Sequence, residues 1–158
     1  MNRATPKKYI TASLLLVIAG GALFLLTAAG SKSTKQFLNL DGKRPPGFSQ
    51  IVTTPPGKTI YISGMGGTAP DGTMPKDFAT QVDNTFKKIG QALKMAGADF
   101  KDIVKINYFV TDIKNLQPLR DIRAKYLNMQ SPPAATLVQA GLAGDLQVEI
   151  ECVAVVPE

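Results

Sequence analysis

The sequence of 158 residues contains no histidine and no tryptophan, and it has a single cysteine. Without histidine there is no Ser-His-Asp triad, no Cys-His pair, no histidine-bound zinc and no imidazole general base. A lone Cys152 cannot form an internal disulfide or a CxxC redox pair. Charged residues are too few for a disordered chain: they make up 19%, against 44% from the hydrophobic set. The length suits one domain with a short appendage.

Acid is missing from the first thirty residues. They carry Arg3, Lys7 and Lys8, and positions 9–31 then form an uncharged run of 23 residues dominated by Leu, Ile and Val. About 20 apolar residues cross a bilayer core, so the run is long enough to span as a hydrophobic helix. Three cations before it favour a cytoplasmic amino terminus and a body on the periplasmic or extracellular side. A retained anchor is preferred over a signal cleaved near Ala29/Gly30, because signal cores run only about 7–15 residues. The chain therefore divides into a membrane segment (1–30), an exposed linker (31–47) and a domain (48–158). Beyond residue 30 there are 15 cations and 12 acids. A body so mildly basic gives little support to a nucleic-acid partner.

What is present is a change of period. Residues 48–54 and 59–63 are β-prone, and the second stretch runs into Gly64-Met65-Gly66-Gly67, where backbone must either take a positive φ or approach something closely. Phe78, Val82, Phe86, Ile89 and Leu93 recur at helical spacing, with Asp77 before them and Gly97 after, while Gln81 is assigned to the solvent side. Residues 103–110 read as a buried strand. Leu116, Leu119, Ile122 and Tyr126 mark a shorter helix. Strands at 136–138 and 146–155 complete the order β-β-α-β-α-β-β, an α+β fold with two helices on one face of a mixed sheet. In the last strand Val148, Ile150, Cys152 and Ala154 share one face, and Glu149 and Glu151 the other. Residue chemistry alone offers these two carboxylates as acid/base candidates. Cys152 reads as a small buried hydrophobe.

Several segments together carry a resemblance. Phe48-Ser49-Gln50, Ile60-Tyr61-Ile62-Ser63-Gly64, Asp102-Ile103-Val104-Lys105, Val110-Thr111-Asp112, Pro133-Ala134 and Val148-Glu149-Ile150-Glu151-Cys152-Val153-Ala154 stand in the order and spacing of the Rid (YjgF-like) family. The similarity covers nearly all of residues 45–156. It implies a chorismate-mutase-like fold, a homotrimer with small-metabolite clefts between subunits, no cofactor and no metal. Typical active members hydrolyse 2-imino acids to 2-oxo acids and ammonia; older names call members endoribonucleases or translation inhibitors.

The resemblance also implies a site of Phe48, Ser63, Gly64, Arg120, Ala135, Thr136 and Glu149, and at several of these positions the sequence departs from the family. Ala135 stands where active members have the arginine that clamps the substrate carboxylate, and Phe48 replaces a tyrosine. Glu149 matches the glutamate that positions the hydrolytic water. Arg120 falls where many members place a pocket-side asparagine, with Arg123 one turn further. One reading sends Arg120 into the cleft toward a different anion. The preferred one leaves both arginines on an exposed helix face or paired with acids across the trimer. Deaminase activity is accordingly expected to be weak or altered, with a non-catalytic metabolite-binding trimer as the alternative.

Overall fold

The computed structural model describes residues 34–158. The apolar run at 9–31, expected to be a membrane helix, lies outside the described residues. Among the described residues no helix is long and apolar enough to cross a membrane. Six strands and two helices follow in order: β1 (Gln36–Leu38), β2 (Ile51–Thr53), β3 (Gly57–Gly66), α1 (Phe78–Met95), β4 (Ile103–Val110), α2 (Leu116–Arg123), β5 (Ala134–Gln139) and β6 (Val148–Pro157). β1 falls in the stretch expected as exposed linker. It pairs antiparallel with β2, Phe37 opposite Val52.

The main sheet has the order β3-β6-β4-β5. β6 runs antiparallel to both of its neighbours, and β4 and β5 are parallel, so the sheet is mixed as expected. The alternation foreseen in β6 sets which face is covered. Val148, Ile150, Cys152 and Ala154 are buried with Ile60, Ile62, Ile106 and Tyr108 against Phe86, Ile89 and Leu93 of α1 and Leu119 and Ile122 of α2. Tyr61, Ser63, Lys105, Asn107, Glu149 and Glu151 take the intervening positions and face the side without helices.

Local sequence explains the element ends. Asp77 caps α1 by accepting the Thr80 N–H at 2.7 Å. At the other end Gly97 takes φ 73°, and the N–H groups of Gly97 and Ala98 donate to the carbonyls of Lys94 and Leu93. That pair of bonds is a Schellman closure, which needs a left-handed residue at Gly97. Tyr126 lies past the end of α2 but keeps the packing expected of it, stacked on Phe86 with ring centroids 4.9 Å apart.

Gln81 corrects the amphipathic reading, because it is fully buried rather than solvent-facing. Its amide donates to the carbonyls of Pro75 (2.7 Å) and Asp145 (3.1 Å) and accepts the Gln147 N–H (2.8 Å). A residue able both to donate and to accept is needed there, since the loop entering β6 presents unpaired backbone to the helix.

Candidate functional site

Four of the seven expected site residues meet in one cleft. Phe48, Arg120, Ala135 and Thr136 line a cavity of about 250 Å³, together with Tyr108 and Arg123. Three segments build it. The Ser49 N–H donates to the Pro133 carbonyl at 3.1 Å, and Ser49 bridges to Ala134, which lays the Phe48 segment along the start of β5. The parallel register sets Ala135 beside Ile106 and Leu137 beside Tyr108. α2 then covers the edge and brings Arg120 and Arg123 from its last turn. The Thr136 hydroxyl accepts a hydrogen bond from Lys105 Nζ at 2.6 Å.

The two arginines differ. Arg120 is exposed at the rim, whereas Arg123 is only 7% exposed. Arg123 Cζ lies 5.8 Å from the centre of the Tyr108 ring, a cation–π distance. The backbone makes room for it at Gly47: φ is 84°, and a Cβ built there would fall 1.8 Å from Arg123 Nη2. No side chain fits between that turn and the guanidinium. Arg123 has no acidic partner, for the ion pair found among the described residues is Lys87–Asp83 on α1. Three buried polar atoms in this region lack hydrogen-bond partners: Arg123 Nε, the Tyr108 hydroxyl and Ser49 Oγ. Burial pushes the Tyr108 hydroxyl up to about 12; the Arg123 guanidinium acts in the opposite direction, by its charge and by an approach close to the hydroxyl that falls short of hydrogen-bond geometry.

Ser63, Gly64 and Glu149 form a second group on the helix-free face. The β3–β6 register slips between Ile62 and Met65, which places a bulge at Ser63-Gly64. Glu149 stands opposite Gly66 on β3 and Phe109 on β4. Its carboxylate lies over Gly64, so closely that a Cβ on that glycine would sit 1.8 Å from Oε1. Close approach, rather than positive φ, is therefore what this glycine-rich stretch serves. The second carboxylate of β6 is occupied: Asn107 Nδ2 donates to Glu151 Oε1 at 2.7 Å. Cys152 is buried in the core and burial pushes its thiol up to about 12, so it stays protonated. Among the described residues no three metal-ligating side chains converge.

One chain thus holds two separate half-sites, one at the β5 edge beneath α2 and one over β3 and β6 on the helix-free face. β6 and β5 are separated by β4, roughly 10 Å from two inter-strand spacings of about 4.8 Å. Sequence reasoning underrated Arg123, and the signal for it was available. Leu116, Leu119, Arg123 and Tyr126 are spaced +3, +4 and +3, which puts a cation in the apolar stripe of α2.

Comparison with known proteins agrees with this architecture. The family profile described as Endoribonuclease L-PSP matches residues 43–156. A 2-iminobutanoate/2-iminopropanoate deaminase from Bos taurus is 34% identical over 110 residues, covering 68% of this chain and 79% of that protein. Reactive Intermediate Deaminase A from Arabidopsis thaliana is 29% identical over 109 residues; 68% of this chain is covered but only 57% of that protein. Among solved structures, RidA from the Antarctic bacterium Psychrobacter superposes with a TM-score of 0.60 at 30% identity, covering 77% of this chain and 99% of that one. A Rid-family protein, YyfB, from Yersinia pestis gives a TM-score of 0.67 at 26% identity, covering 78% and 100%. With the profile spanning most of its length and the fold shared throughout the described body, the chain belongs to the Rid (YjgF-like) family.

Proposed function

We propose that this protein binds a small carboxylate-bearing metabolite in a cleft shared between subunits of a homotrimer, and that it hydrolyses 2-imino acids weakly or in altered form. The single observation that carries the reading is Ala135 on the cleft wall, at the position where the family resemblance implies an arginine. Without that bidentate clamp a 2-imino acid loses its main carboxylate anchor, a bond worth about 1.5–3 kcal/mol.

The retained chemistry centres on Glu149. Hydrolysis of an imine adds water to the C=N carbon, then expels ammonia from the resulting carbinolamine to leave a 2-oxo acid. In this proposal the Glu149 carboxylate accepts a proton from the attacking water and passes it to the imine nitrogen to give the carbinolamine. It then relays the carbinolamine hydroxyl proton to that nitrogen as the C–N bond breaks and the C=O bond forms. Its half-buried place over Gly64 limits competing solvent.

A coupled assay tests the reading. Amino-acid oxidase generates 2-iminopropanoate, the full chain is added, and imine loss is followed against the spontaneous rate. The expected result is a small acceleration that Glu149→Gln abolishes. A rate equal to background leaves the second reading, a binding trimer without catalysis. A rate matching that of an arginine-bearing relative would overturn the inferred weakness. Membrane tethering through residues 9–31 is proposed separately, on the length of the uncharged run and the cations before it. Protease protection in intact cells would separate an external body from a cytoplasmic one.

A further inference from the structure

We infer that Arg123 of α2 supplies the anion-binding charge of the Phe48–Ala135 cleft, so that the family's clamp has been relocated from β5 to the helix facing it. This rests on the reading of that cleft as a metabolite site and names the group that would hold the ligand.

The charge on Arg123 is unbalanced. Arg123 is 93% removed from solvent by its 7% exposure, yet no carboxylate lies within ion-pairing distance of it among the described residues. A guanidinium buried without an acid is costly, and structures tolerate that cost where a ligand completes the pair. The surroundings are arranged for a small oxyanion. Nε of Arg123 and the Tyr108 hydroxyl, both on residues that line the cavity, are buried without hydrogen-bond partners. Each can donate to an acceptor, and a carboxylate has two oxygens able to take several such bonds. The remaining walls at Pro46, Phe48, Leu116 and Leu137 are apolar, which suits a short aliphatic chain. A cavity of about 250 Å³ limits that ligand to a small one. A carboxylate with an aliphatic tail meets all of these features. Phosphate leaves the apolar walls unmatched.

Ala135 then has a physical explanation. It lines the same cavity as Arg123, so an arginine at 135 would bring two guanidiniums together in a dry space. The small residue at 135 and the buried cation at 123 are two halves of one arrangement.

The test uses the full chain and 2-oxobutanoate as a stable probe, with its neutral amide and inorganic phosphate as controls, read by titration calorimetry. The wild-type chain should bind 2-oxobutanoate, and the amide and phosphate should bind far more weakly. Arg123→Met should weaken 2-oxobutanoate binding by about 10- to 100-fold. It should also raise the melting temperature, since an unpaired buried charge is replaced by an apolar chain of similar length. A purely structural arginine held by Tyr108 would instead lower it. The double variant Arg123→Met with Ala135→Arg should recover binding. Unchanged affinity in Arg123→Met overturns the relocation and leaves the metabolite reading intact. Equal affinity for phosphate overturns the carboxylate assignment. Absence of any binding by the wild-type chain overturns both the relocation and the metabolite reading.

Discussion

Two arginines three residues apart on one short helix meet opposite fates, and burial alone separates them. Arg120 keeps its head in water at the cleft rim, while Arg123 is enclosed by Gly47, Tyr108 and the β5 edge. The same logic governs other single residues. Gly64 exists as glycine because Glu149 occupies the space of its missing side chain. Cys152 and Tyr108 are both held neutral by burial, each with a folded pKa pushed up to about 12. Their ordinary values are lower, so the unfolded chain ionises first as pH rises. The stability these two groups contribute is complete below about pH 9 and declines progressively toward pH 12. Denaturant midpoints measured across that window should fall steadily, and a thiol reagent at pH 8 should label Cys152 only as fast as the chain opens. Labelling of the native protein within seconds would refute the burial argument for Cys152.

At the scale of elements, hydrophobic period carried most of the information. The stripe of α1, its Asp77 and Gly97 ends and the alternation of β6 were legible because each follows from residue type and spacing within one segment. β1 was not legible: Gln36–Leu38 is only three residues long, and its order comes from pairing with β2, a partner no local pattern announces. Gln81 was misread for a related reason. A polar residue signals solvent unless a distant loop supplies partners, and Asp145 and Gln147 are more than sixty positions away. Of the site, Phe48, Arg120, Ala135 and Thr136 were grouped through family resemblance, and the fold brings those four into one cleft. Arg123 was underrated because an exposed cation and a buried one look alike in sequence. Gln81 offers a test of how α1 and the β6 loop hold together. Gln81→Leu keeps the volume but strands the Gln147 N–H and two carbonyls, and should cost about 2–4 kcal/mol in urea unfolding. The Gln147 amide should exchange with solvent much faster in that variant, whereas an unaltered exchange rate would show that the clip does not hold the loop.

The whole molecule poses the question that neither residue nor element answers, namely how one site could use both Arg123 and Glu149. Within a single chain they lie apart, one at the β5 edge beneath α2 and the other on the helix-free face where Tyr61 stands 80% exposed. A homotrimer resolves this if the helix-edge cleft of one subunit abuts the Glu149 face of its neighbour, a heterologous contact that closes into a ring. The arrangement makes a sharp prediction about mixed assemblies. Chains bearing Arg123→Met are unfolded and refolded together with chains bearing Glu149→Gln, and hydrolysis of 2-iminopropanoate is compared with each variant refolded alone. If each cleft takes Arg123 from one subunit and Glu149 from the next, random mixing leaves about a quarter of the clefts with both native residues. The mixture should then recover roughly that fraction of the wild-type excess over background. If both residues serve the same chain's own cleft, every cleft in the mixture carries one lesion, and mixing recovers nothing beyond the average of the two variants.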